Sequence, residues 1–261
     1  VKVDLSIHAK RKGKLSYKGH EMTKLEMLDI TRGLRVIVTA GAAGIGKTIA
    51  ETFADRGAAV FICDIDEKAL SAMHNERPDI GQQKTDVSDL AQVDLFFEKA
   101  IDALGGLDVL VNNAGVAGPT APIEEITPDE WRRTIDINLN SQFYCLRLAV
   151  PHLKKTKNGS IINLSSVAGR LGFAMRTPYA ATKWGVVGLT KSLAKELGPL
   201  GIRVNCIQPG MVEGDRIERV ISARADATGE SRESVEQDML TNVSLRRTVS
   251  GQDIAEMAVF L

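Results

Sequence analysis

A glycine-rich turn between a short apolar run and a helical segment constrains the fold more than any other feature of the chain. The run Arg35–Thr39 is rich in β-branched residues, as in a strand that a parallel sheet buries, and residues 40–46 (AGAAGIG) follow it directly. Residues 47–56 then have the pattern of a helix. A strand, a glycine-rich turn and a helix N-terminus bring together backbone N–H groups that can bind a pyrophosphate. The turn therefore predicts a nucleotide site near the start of an α/β domain.

The same glycines fit two kinds of nucleotide site. Gly41, Gly46, Lys47 and Thr48 also satisfy the P-loop pattern Gly-x-x-x-x-Gly-Lys-Thr, which would indicate a triphosphate site. A triphosphatase further needs an acidic strand end for magnesium, and it has no use for a serine, tyrosine and lysine cluster. The P-loop hypothesis predicts magnesium-dependent triphosphate hydrolysis.

Asp64 favours a dinucleotide. It ends a second apolar run, residues 59–64, and lies 18 residues after Gly46 (64 − 46 = 18). A carboxylate at this place can accept hydrogen bonds from the hydroxyls of the adenosine ribose, and it repels a 2′-phosphate. We therefore predict NAD rather than NADP as the cofactor. The alternative is that Asp64 only caps the helix that follows.

Strand and helix patterns continue to alternate along the chain. Strands are predicted to end at Val87, Asn112, Ser166 and Gln208, and helices to occupy residues 67–75, 90–104, 131–155 and 178–196. This alternation predicts a Rossmann-type doubly wound parallel sheet with helices on both faces, in a single domain over residues 33–261. The small residues that follow Asn112 can let the backbone approach a flat ligand, so they are candidates for a cofactor wall: Asn113, Ala114 and Gly115.

Three side chains form a candidate proton-transfer group. Tyr179 and Lys183 are four residues apart on a predicted helix and share one face. A phenol exchanges protons poorly at neutral pH unless a neighbouring positive charge stabilises the phenolate, and Lys183 is placed to supply that charge. Ser166 ends the preceding strand, so its hydroxyl can hold a carbonyl oxygen while Tyr179 exchanges its proton. Asn138, on an earlier helix, either bonds a local carbonyl or holds a water for a proton relay.

Composition limits the possible partners. The chain has 261 residues, 44% of them hydrophobic and 25% charged, and a formal net charge of zero, which argues against a nucleic-acid or membrane-surface protein. Its three cysteines are widely spaced and its four histidines lack metal-ligand spacing, so we expect no metal. We expect a soluble cytoplasmic protein. Residues 1–32 are basic and are predicted to be a disordered extension or a vector-derived leader. Residues 211–247 are predicted to be a mobile helical insert that covers the site.

In their order, these segments resemble the short-chain dehydrogenase/reductase superfamily, in its single-domain Tyr-x-x-x-Lys branch. The likeness runs from about Arg35 to Leu261. It rests on residues 39–46, Asp86 and Val87, residues 112–115, Asn138, Ser165 and Ser166, residues 179–183, and Pro209 and Gly210.

The resemblance implies a Rossmann fold and alcohol oxidation or carbonyl reduction with NAD(P). It assigns Tyr179 as the acid/base, Lys183 as the group that favours the phenolate and holds the nicotinamide ribose, Ser166 as the substrate orienter and Asn138 as the anchor of a water relay. The residues that it implies for cofactor binding are Gly41, Gly44, Ile45 and Gly46 at the pyrophosphate, Asp64 at the adenosine ribose, Asp86 and Val87 at the adenine, and Asn113, Ala114, Gly115, Tyr179, Lys183, Pro209 and Gly210 elsewhere along the cofactor.

The chain departs from the family pattern at three places. Ala40 stands where the family usually has the first glycine of the turn, so a Cβ must fit there. Met211 follows Pro209 and Gly210 in a segment where the family often has a threonine that contacts the nicotinamide amide. The sequence stops at Leu261, where family members usually continue to one more strand, so either the sequence is incomplete or the sheet lacks that strand.

The function predicted from these features is NAD-dependent hydride transfer between nicotinamide and a small polar alcohol or carbonyl: a sugar, a polyol or a hydroxy acid. Arginines on segments that could face the substrate can grip a carboxylate bidentately: Arg170, Arg176, Arg216 and Arg219. The alternatives are a 3-ketoacyl carrier-protein reductase, which would ordinarily prefer NADP, and a non-catalytic NAD-binding regulatory protein. The resemblance also implies a homotetramer or homodimer that uses the helices of Trp131 and Tyr179.

Overall fold

The structure is a computed structural model that describes residues 15–17, 20–22, 31–156 and 158–261. The strands β1 (Leu15–Tyr17) and β2 (His20–Met22) pair with each other in antiparallel register. Most of the predicted N-terminal extension, residues 1–32, lies outside the described residues. Its disorder or vector origin stays a prediction.

Six parallel strands form the sheet at the centre of the domain. They are β3 (Arg35–Thr39), β4 (Ala59–Asp64), β5 (Gly81–Lys84), β6 (Val109–Asn112), β7 (Ser160–Leu164) and β8 (Arg203–Ile207). Their order across the sheet is β5-β4-β3-β6-β7-β8, and every neighbouring pair is parallel. The chain therefore winds outward from β3 in one direction and then from β6 in the other, which confirms the predicted doubly wound sheet.

Helices cover both faces of this sheet. They are α1 (Gly44–Asp55), α2 (Glu67–Glu76), α3 (Leu90–Leu104), α4 (Pro128–Ile135), α5 (Ser141–Leu153), α6 (Thr177–Leu197), α7 (Asp215–Thr228), α8 (Arg232–Thr241) and α9 (Gly251–Phe260). Alternate residues of β3 point to opposite faces of the sheet. Val36 and Val38 pack in one apolar cluster with α1, α2 and α9. Ile37 packs in the other cluster, with α3, α5 and α6. Both faces are thus buried, as a parallel sheet requires.

The change of winding direction places a crevice between the carboxyl ends of β3 and β6. In doubly wound sheets a ligand binds at such a switch point, because the loops after the two strands diverge there. The glycine-rich turn follows β3, and residues 113–115 follow β6. The topology therefore brings the predicted pyrophosphate turn and the predicted cofactor wall to the same crevice.

Some boundaries differ from those predicted. The strand expected to end at Val87 is β5, which ends at Lys84; it lies at the edge of the sheet and is largely polar, so apolar patterning could not locate it. The helical region predicted over 131–155 is divided by a π-helical segment, Asp136–Asn140, between α4 and α5. Helix α1 begins at Gly44 rather than at Lys47, so the last glycines of the turn belong to its first turn.

The segment predicted as a covering insert contains α7 and α8, which pack on each other through a small apolar cluster of their own: Met211, Ile221, Ala225 and Val235. An isolated parallel β-bridge between Val212 and Val249 joins the two ends of this segment. Its mobility and its role as a cover stay predictions. Within the described ranges, no helix combines the length and apolar character that crossing a membrane requires.

Candidate active site

The glycine-rich turn is shaped by close backbone approach. A Cβ on Gly46 would lie 2.0 Å from the carbonyl oxygen of Ala40 and 2.4 Å from Asn113 Nδ2, so only glycine fits there. Gly44 has φ +53° and open space where a Cβ would point, as a cradle for a phosphate group requires. Gly41 packs against Ile62 of β4, which a Cβ would overlap at 2.6 Å. Ile45 packs partly buried against the core of that face.

Ala40 adopts a backbone conformation that glycine would adopt more easily. Its φ is +50°, in the left-handed region, where the Cβ of an L-residue crowds the following carbonyl. The departure from the family pattern is therefore visible as local backbone strain. The turn keeps its shape nonetheless, since the carbonyl oxygen of Ala40 accepts a hydrogen bond of 3.0 Å from Asn113 Nδ2.

The segment after β6 is tied to this turn. Asn113 Nδ2 also donates to the carbonyl of Thr39, and the backbone N–H groups of Asn113 and Ala114 both donate to Thr39 Oγ1 at 3.0 Å. Gly115 comes next, and a Cβ there would lie 3.2 Å from Asn138 Oδ1 and 3.5 Å from Lys183 Nζ. Residues 113–115 thus connect the predicted pyrophosphate turn with the predicted catalytic residues.

Asp64 faces the glycine-rich turn. Its Oδ2 accepts a hydrogen bond of 3.1 Å from the N–H of Ala42, and its Oδ1 accepts one from the N–H of Asp66. The N-cap of α2 is Asp66, whose side chain accepts from the N–H groups of Lys68 and Ala69. Asp64 therefore does not cap the helix itself, and its carboxylate stands at the carboxyl end of β4, beside the crevice.

Lys47 does not have the freedom that a P-loop lysine needs. Its ammonium forms ion pairs with Glu76 of α2 and, at 3.9 Å, with Glu51 one helical turn along α1. These acidic partners hold it on the outer surface of α1 and raise its pKa. The match to the Gly-Lys-Thr pattern is thus a coincidence of sequence.

Asp86 and Val87 follow the carboxyl end of β5, on the side of the sheet where the glycine-rich turn also lies. Asp86 Oδ1 accepts hydrogen bonds from the N–H and the hydroxyl of Ser88, and Asp86 N–H donates to Gln92 Oε1. Asp86 Oδ2 accepts none from the part of the chain that the structure describes. Val87 is buried in the apolar cluster beneath. The pair is therefore fixed in orientation, with one carboxylate oxygen of Asp86 still available.

The turn after β7, which carries Ser166, packs against helix α6, which carries Tyr179 and Lys183. Ser165 Oγ donates to the backbone carbonyl of Lys183 at 2.8 Å, and Gly169 lies so close to that carbonyl that a Cβ would approach it to 2.5 Å. The hydroxyl oxygen of Ser166 accepts from the N–H of Ala168. The segments that carry the three predicted catalytic residues thus meet at the carboxyl end of β7, and the joint action of these residues stays a prediction.

Lys183 is nearly enclosed, with 3% of its surface exposed. Its ammonium donates to the carbonyl of Leu164 at 2.8 Å and lies 5.7 Å from the centroid of the Tyr179 ring. Burial, and after it the positive charge of Arg216, lowers the pKa of Lys183 from 10.5 to about 7, because the charged form is poorly solvated there. Its charge is thus sensitive to any anion or dipole that enters the site.

Asn138 is fully buried in the π-helical segment. Its amide accepts from the N–H of Val116 at 2.7 Å and donates to the carbonyl of Val116 and to Thr182 Oγ1. The side chain therefore ties α6 to the segment after β6. An additional water relay through Asn138 stays a prediction.

Pro209 and Gly210 follow β8 and lie against the turn after β7. The carbonyl of Pro209 accepts from the N–H of Val167, and the preceding Gln208 donates to the carbonyl of Ser166. Met211, at the place of the family's threonine contact, is buried in the cluster of α7 and α8. Cofactor contacts at residues 209 and 210 stay predictions.

Sequence reasoning missed Thr39 and Thr182. Thr39 receives two backbone N–H groups from the far side of the crevice, and Thr182 links Asn138 to α6. Thr182 lies inside the Tyr-x-x-x-Lys stretch, and Thr39 ends the strand before the glycines. A threonine at either position could have been predicted from the sequence to bond the neighbouring segments of the site. Among the described residues, no group of three or more histidine, cysteine, aspartate or glutamate side chains could hold a metal ion.

The fold and this arrangement of groups are those of a dinucleotide-binding oxidoreductase. The chain matches the short chain dehydrogenase family over residues 35–225. It belongs to that family, and is therefore an enzyme that uses a nicotinamide cofactor and acts on CH–OH groups or the corresponding carbonyls.

Individual relatives span most of the chain. It is 34% identical over 239 residues to the 3-oxoacyl acyl-carrier-protein reductase FabG of Chlamydia pneumoniae, and the aligned region covers 90% of this chain and 92% of the relative. It is 39% identical over 194 residues to the 2-dehydro-3-deoxy-L-rhamnonate dehydrogenase (NAD(+)) of Sphingomonas sp. (strain SKA58), which covers 74% and 78% respectively. A crystal structure of levodione reductase is similar with a TM-score of 0.82 and 30% identity, over 88% of this chain and 90% of that one.

Proposed function

We propose that this enzyme is NAD-linked and interconverts a small polar alcohol, of the sugar, polyol or hydroxy acid class, with its carbonyl form. The observation that carries the proposal is the packing of the Tyr179 and Lys183 helix against the Ser165–Gly169 turn, at the crevice that also receives the glycine-rich turn. The relative from Sphingomonas, a dehydrogenase of a sugar acid named with NAD(+), supports both the cofactor and the substrate class.

The residues at the crevice suit a dinucleotide. Gly44 and Gly46 leave room for a pyrophosphate, and the Asp64 carboxylate can accept hydrogen bonds from the adenosine ribose. Among the described residues, Lys47 at the start of α1 already forms ion pairs with Glu76 and Glu51, so it is less available to a 2′-phosphate. These features support NAD over NADP. We assign the pyrophosphate to Gly41, Gly44, Ile45 and Gly46, the adenine to Asp86 and Val87, and the opposite side of the cofactor to Asn113, Ala114, Gly115, Pro209 and Gly210.

In the proposed mechanism, Ser166 donates a hydrogen bond that holds the oxygen of the substrate, and Tyr179 exchanges the proton of that oxygen. Lys183 stabilises the phenolate of Tyr179 by its charge and can bond the nicotinamide ribose. Asn138 keeps α6 in register with the segment after β6 and anchors the proton relay. The cofactor, when bound, supplies the acceptor or donor of the hydride.

A second candidate is a 3-ketoacyl carrier-protein reductase, which the relative from Chlamydia pneumoniae favours. Asp64 argues against it, because such a reductase would ordinarily prefer NADP. Reduction of acetoacetyl-CoA by NADPH faster than by NADH would support this candidate and contradict the NAD assignment.

We also propose a cytoplasmic homo-oligomer, a homotetramer or homodimer. Large apolar side chains remain exposed on neighbouring helices of the described chain: Trp131 on α4, Phe143 on α5 and Trp184 on α6. Burying them between subunits would remove apolar surface from water. Light scattering of the purified protein tests this assembly.

The main test combines binding with turnover. Titration calorimetry should show that NAD⁺ binds more tightly than NADP⁺, and an absorbance screen of alcohols should then find activity. Tyr179→Phe should lower kcat by about 10²- to 10⁴-fold, the range expected for loss of a general acid/base, while NAD⁺ binding is kept. Tyr144→Phe, which removes a hydroxyl from α5, is the matched control and should keep full activity. Equal activity of the Tyr179→Phe and wild-type proteins would contradict the mechanism.

A further inference from the structure

Arg176 is held directly against the ring of Tyr179. It precedes α6, and its Cζ lies 4.3 Å from the centroid of that ring. Its Nη2 donates to the carbonyl of Ala117 at 2.9 Å, in the segment after β6. The guanidinium is therefore fixed at two points, on the aromatic face and on a backbone carbonyl, and both lie at the proposed reaction centre.

The backbone beside Arg176 adopts an unfavourable conformation that positions it. Met175 has φ +62°, in the left-handed region, and its carbonyl accepts a hydrogen bond of 2.9 Å from the N–H of Ala121. A left-handed conformation is unfavourable for a residue with a Cβ, because the Cβ crowds the following carbonyl. The segments around residues 117–121 and 175–176 are thus connected by two hydrogen bonds across the mouth of the site.

The donor capacity of Arg176 is largely unused. Its Nε is buried and has no hydrogen-bond partner, and its Nη1 donates to no acceptor among the described residues. Several other arginines of the described chain are paired with acids: Arg77 with Asp55 and Asp79, Arg224 with Asp238, and Arg232 with Glu218. Arg176 has no such partner in the described chain, although burying an unpaired cation is costly.

Arg176 is also not the only unpaired cation at this place. Burial lowers the pKa of Arg176, and the charge of Arg216, in the first turn of α7, lowers it further, against an opposing contribution from Tyr179. Arg216 acts in the same direction on Lys183. Within the described ranges neither arginine forms an ion pair, and the acids nearest to Arg216 in sequence, Asp215 and Glu218, form none with it. Two arginines therefore share this region with Lys183, whose pKa is lowered to about 7, and no carboxylate of the described residues pairs with either arginine.

We propose that Arg176 binds a carboxylate of the substrate, with the positive charge of Arg216 on α7 adding to the attraction, so that the substrates are short hydroxy or oxo acids rather than neutral sugars or polyols. The guanidinium lies over the ring whose hydroxyl exchanges the proton, and its Nη1 has no acceptor among the described residues. A carboxylate there forms charge-assisted hydrogen bonds and neutralises a cluster that the protein itself leaves unbalanced. This inference rests on the proposed function, because it names the substrate class of the same site.

Selectivity for charge is the first test. With NAD⁺, kcat/KM is measured for 3-hydroxybutyrate, glycerate and gluconate and for their neutral counterparts 1,3-butanediol, glycerol and glucose. The wild type should prefer at least one acid, chiefly through KM. Arg176→Gln should lower the ratio of acid to neutral kcat/KM at least tenfold, and Arg176→Lys should restore part of it. Arg203→Gln, which removes an exposed arginine from the start of β8, at the opposite end of the strand from the site, is the matched control and should leave the ratio unchanged.

Binding of malonate, a dicarboxylate, gives a readout that does not depend on turnover. Calorimetry with the protein alone and with NAD⁺ should show malonate binding that Arg176→Gln weakens at least tenfold and Arg216→Gln weakens less. Arg216 is exposed, so this second variant stays informative if Arg176→Gln does not fold.

An equal loss of kcat/KM on acids and neutral compounds, or no arginine-dependent malonate binding, would overturn the inference. Tyr179-dependent turnover of neutral alcohols alone would overturn it and leave the proposed function intact, whereas arginine-dependent malonate binding without NAD⁺ binding would support the anion site and contradict the proposed function.

Discussion

The two ends of the candidate site differ in charge. At the end where β4 meets the glycine-rich turn, the group beside the crevice is the partly buried carboxylate of Asp64, and the lysine of α1, Lys47, is paired with glutamates. At the other end, Lys183, Arg176 and Arg216 gather with no acid paired to them among the described residues. The difference indicates how one crevice can favour an uncharged ribose at one end and an anion at the other.

The largest effect that tests this comparison concerns the buried charge of Lys183. Between pH 7 and 10.5 the unfolded chain binds a proton at Lys183 that the native chain has lost, so the stability contribution of this lysine rises with pH across that window and is least favourable below it. The free energy of unfolding of the wild type, measured relative to that of Lys183→Met, should therefore rise by about 3 kcal/mol from pH 7 to 9.5, since one pKa unit corresponds to about 1.4 kcal/mol. Denaturant unfolding at several pH values measures it.

Lys191→Met, at an exposed position of the same helix, is the control for this prediction. The difference between wild type and Lys191→Met should stay constant over the same pH range. A constant difference for Lys183→Met as well would mean that Lys183 keeps its proton in the folded chain, and the substrate end would then be more strongly positive than described here.

A smaller effect tests the negative end. Asp64→Asn keeps the shape of the side chain and removes its charge, so the repulsion of a 2′-phosphate should disappear and the bonds to ribose hydroxyls should weaken. The ratio of the dissociation constants of NADP⁺ and NAD⁺ should fall by about 10- to 100-fold, as expected for loss of a charged hydrogen-bond acceptor worth about 1.5–3 kcal/mol. Calorimetric titration with both dinucleotides measures it. Asp66→Asn, at the N-cap of α2, should leave the ratio unchanged; a similar shift in both variants would assign the effect to the helix start.

The smallest effect concerns the turn at the negative end. Ala40→Gly should stabilise the protein by about 1 kcal/mol, because glycine adopts the left-handed conformation of residue 40 without the crowding of a Cβ. Thermal unfolding should then shift upward by about 2–4 °C. Ala54→Gly, inside α1, should change stability by about 0.5–1 kcal/mol in the opposite direction. A loss of stability in Ala40→Gly would mean that the methyl group of Ala40 contributes packing that outweighs the strain.

Local features of the site were predictable from the sequence because their cause lies within a few residues. The strands Arg35–Thr39 and Ala59–Asp64 have the predicted bounds, since buried parallel strands are continuous apolar runs. The shared face of Tyr179 and Lys183 follows from helical geometry alone. The edge strand β5 was placed too far along the chain, because its side chains are polar and it has one neighbour in the sheet.

The sequence by itself determined the alternation of strands and helices, the turn glycines and the identity of the reactive side chains. Only the tertiary structure decided that Asp66 rather than Asp64 caps α2, that Arg176 lies over Tyr179, and that Lys183 is buried beside unpaired arginines. The physical reason is distance along the chain. Hydrogen bonds within a turn or a helix follow from neighbouring residues, whereas burial, and with it the protonation of a lysine, depends on segments that come together only when the sheet is assembled.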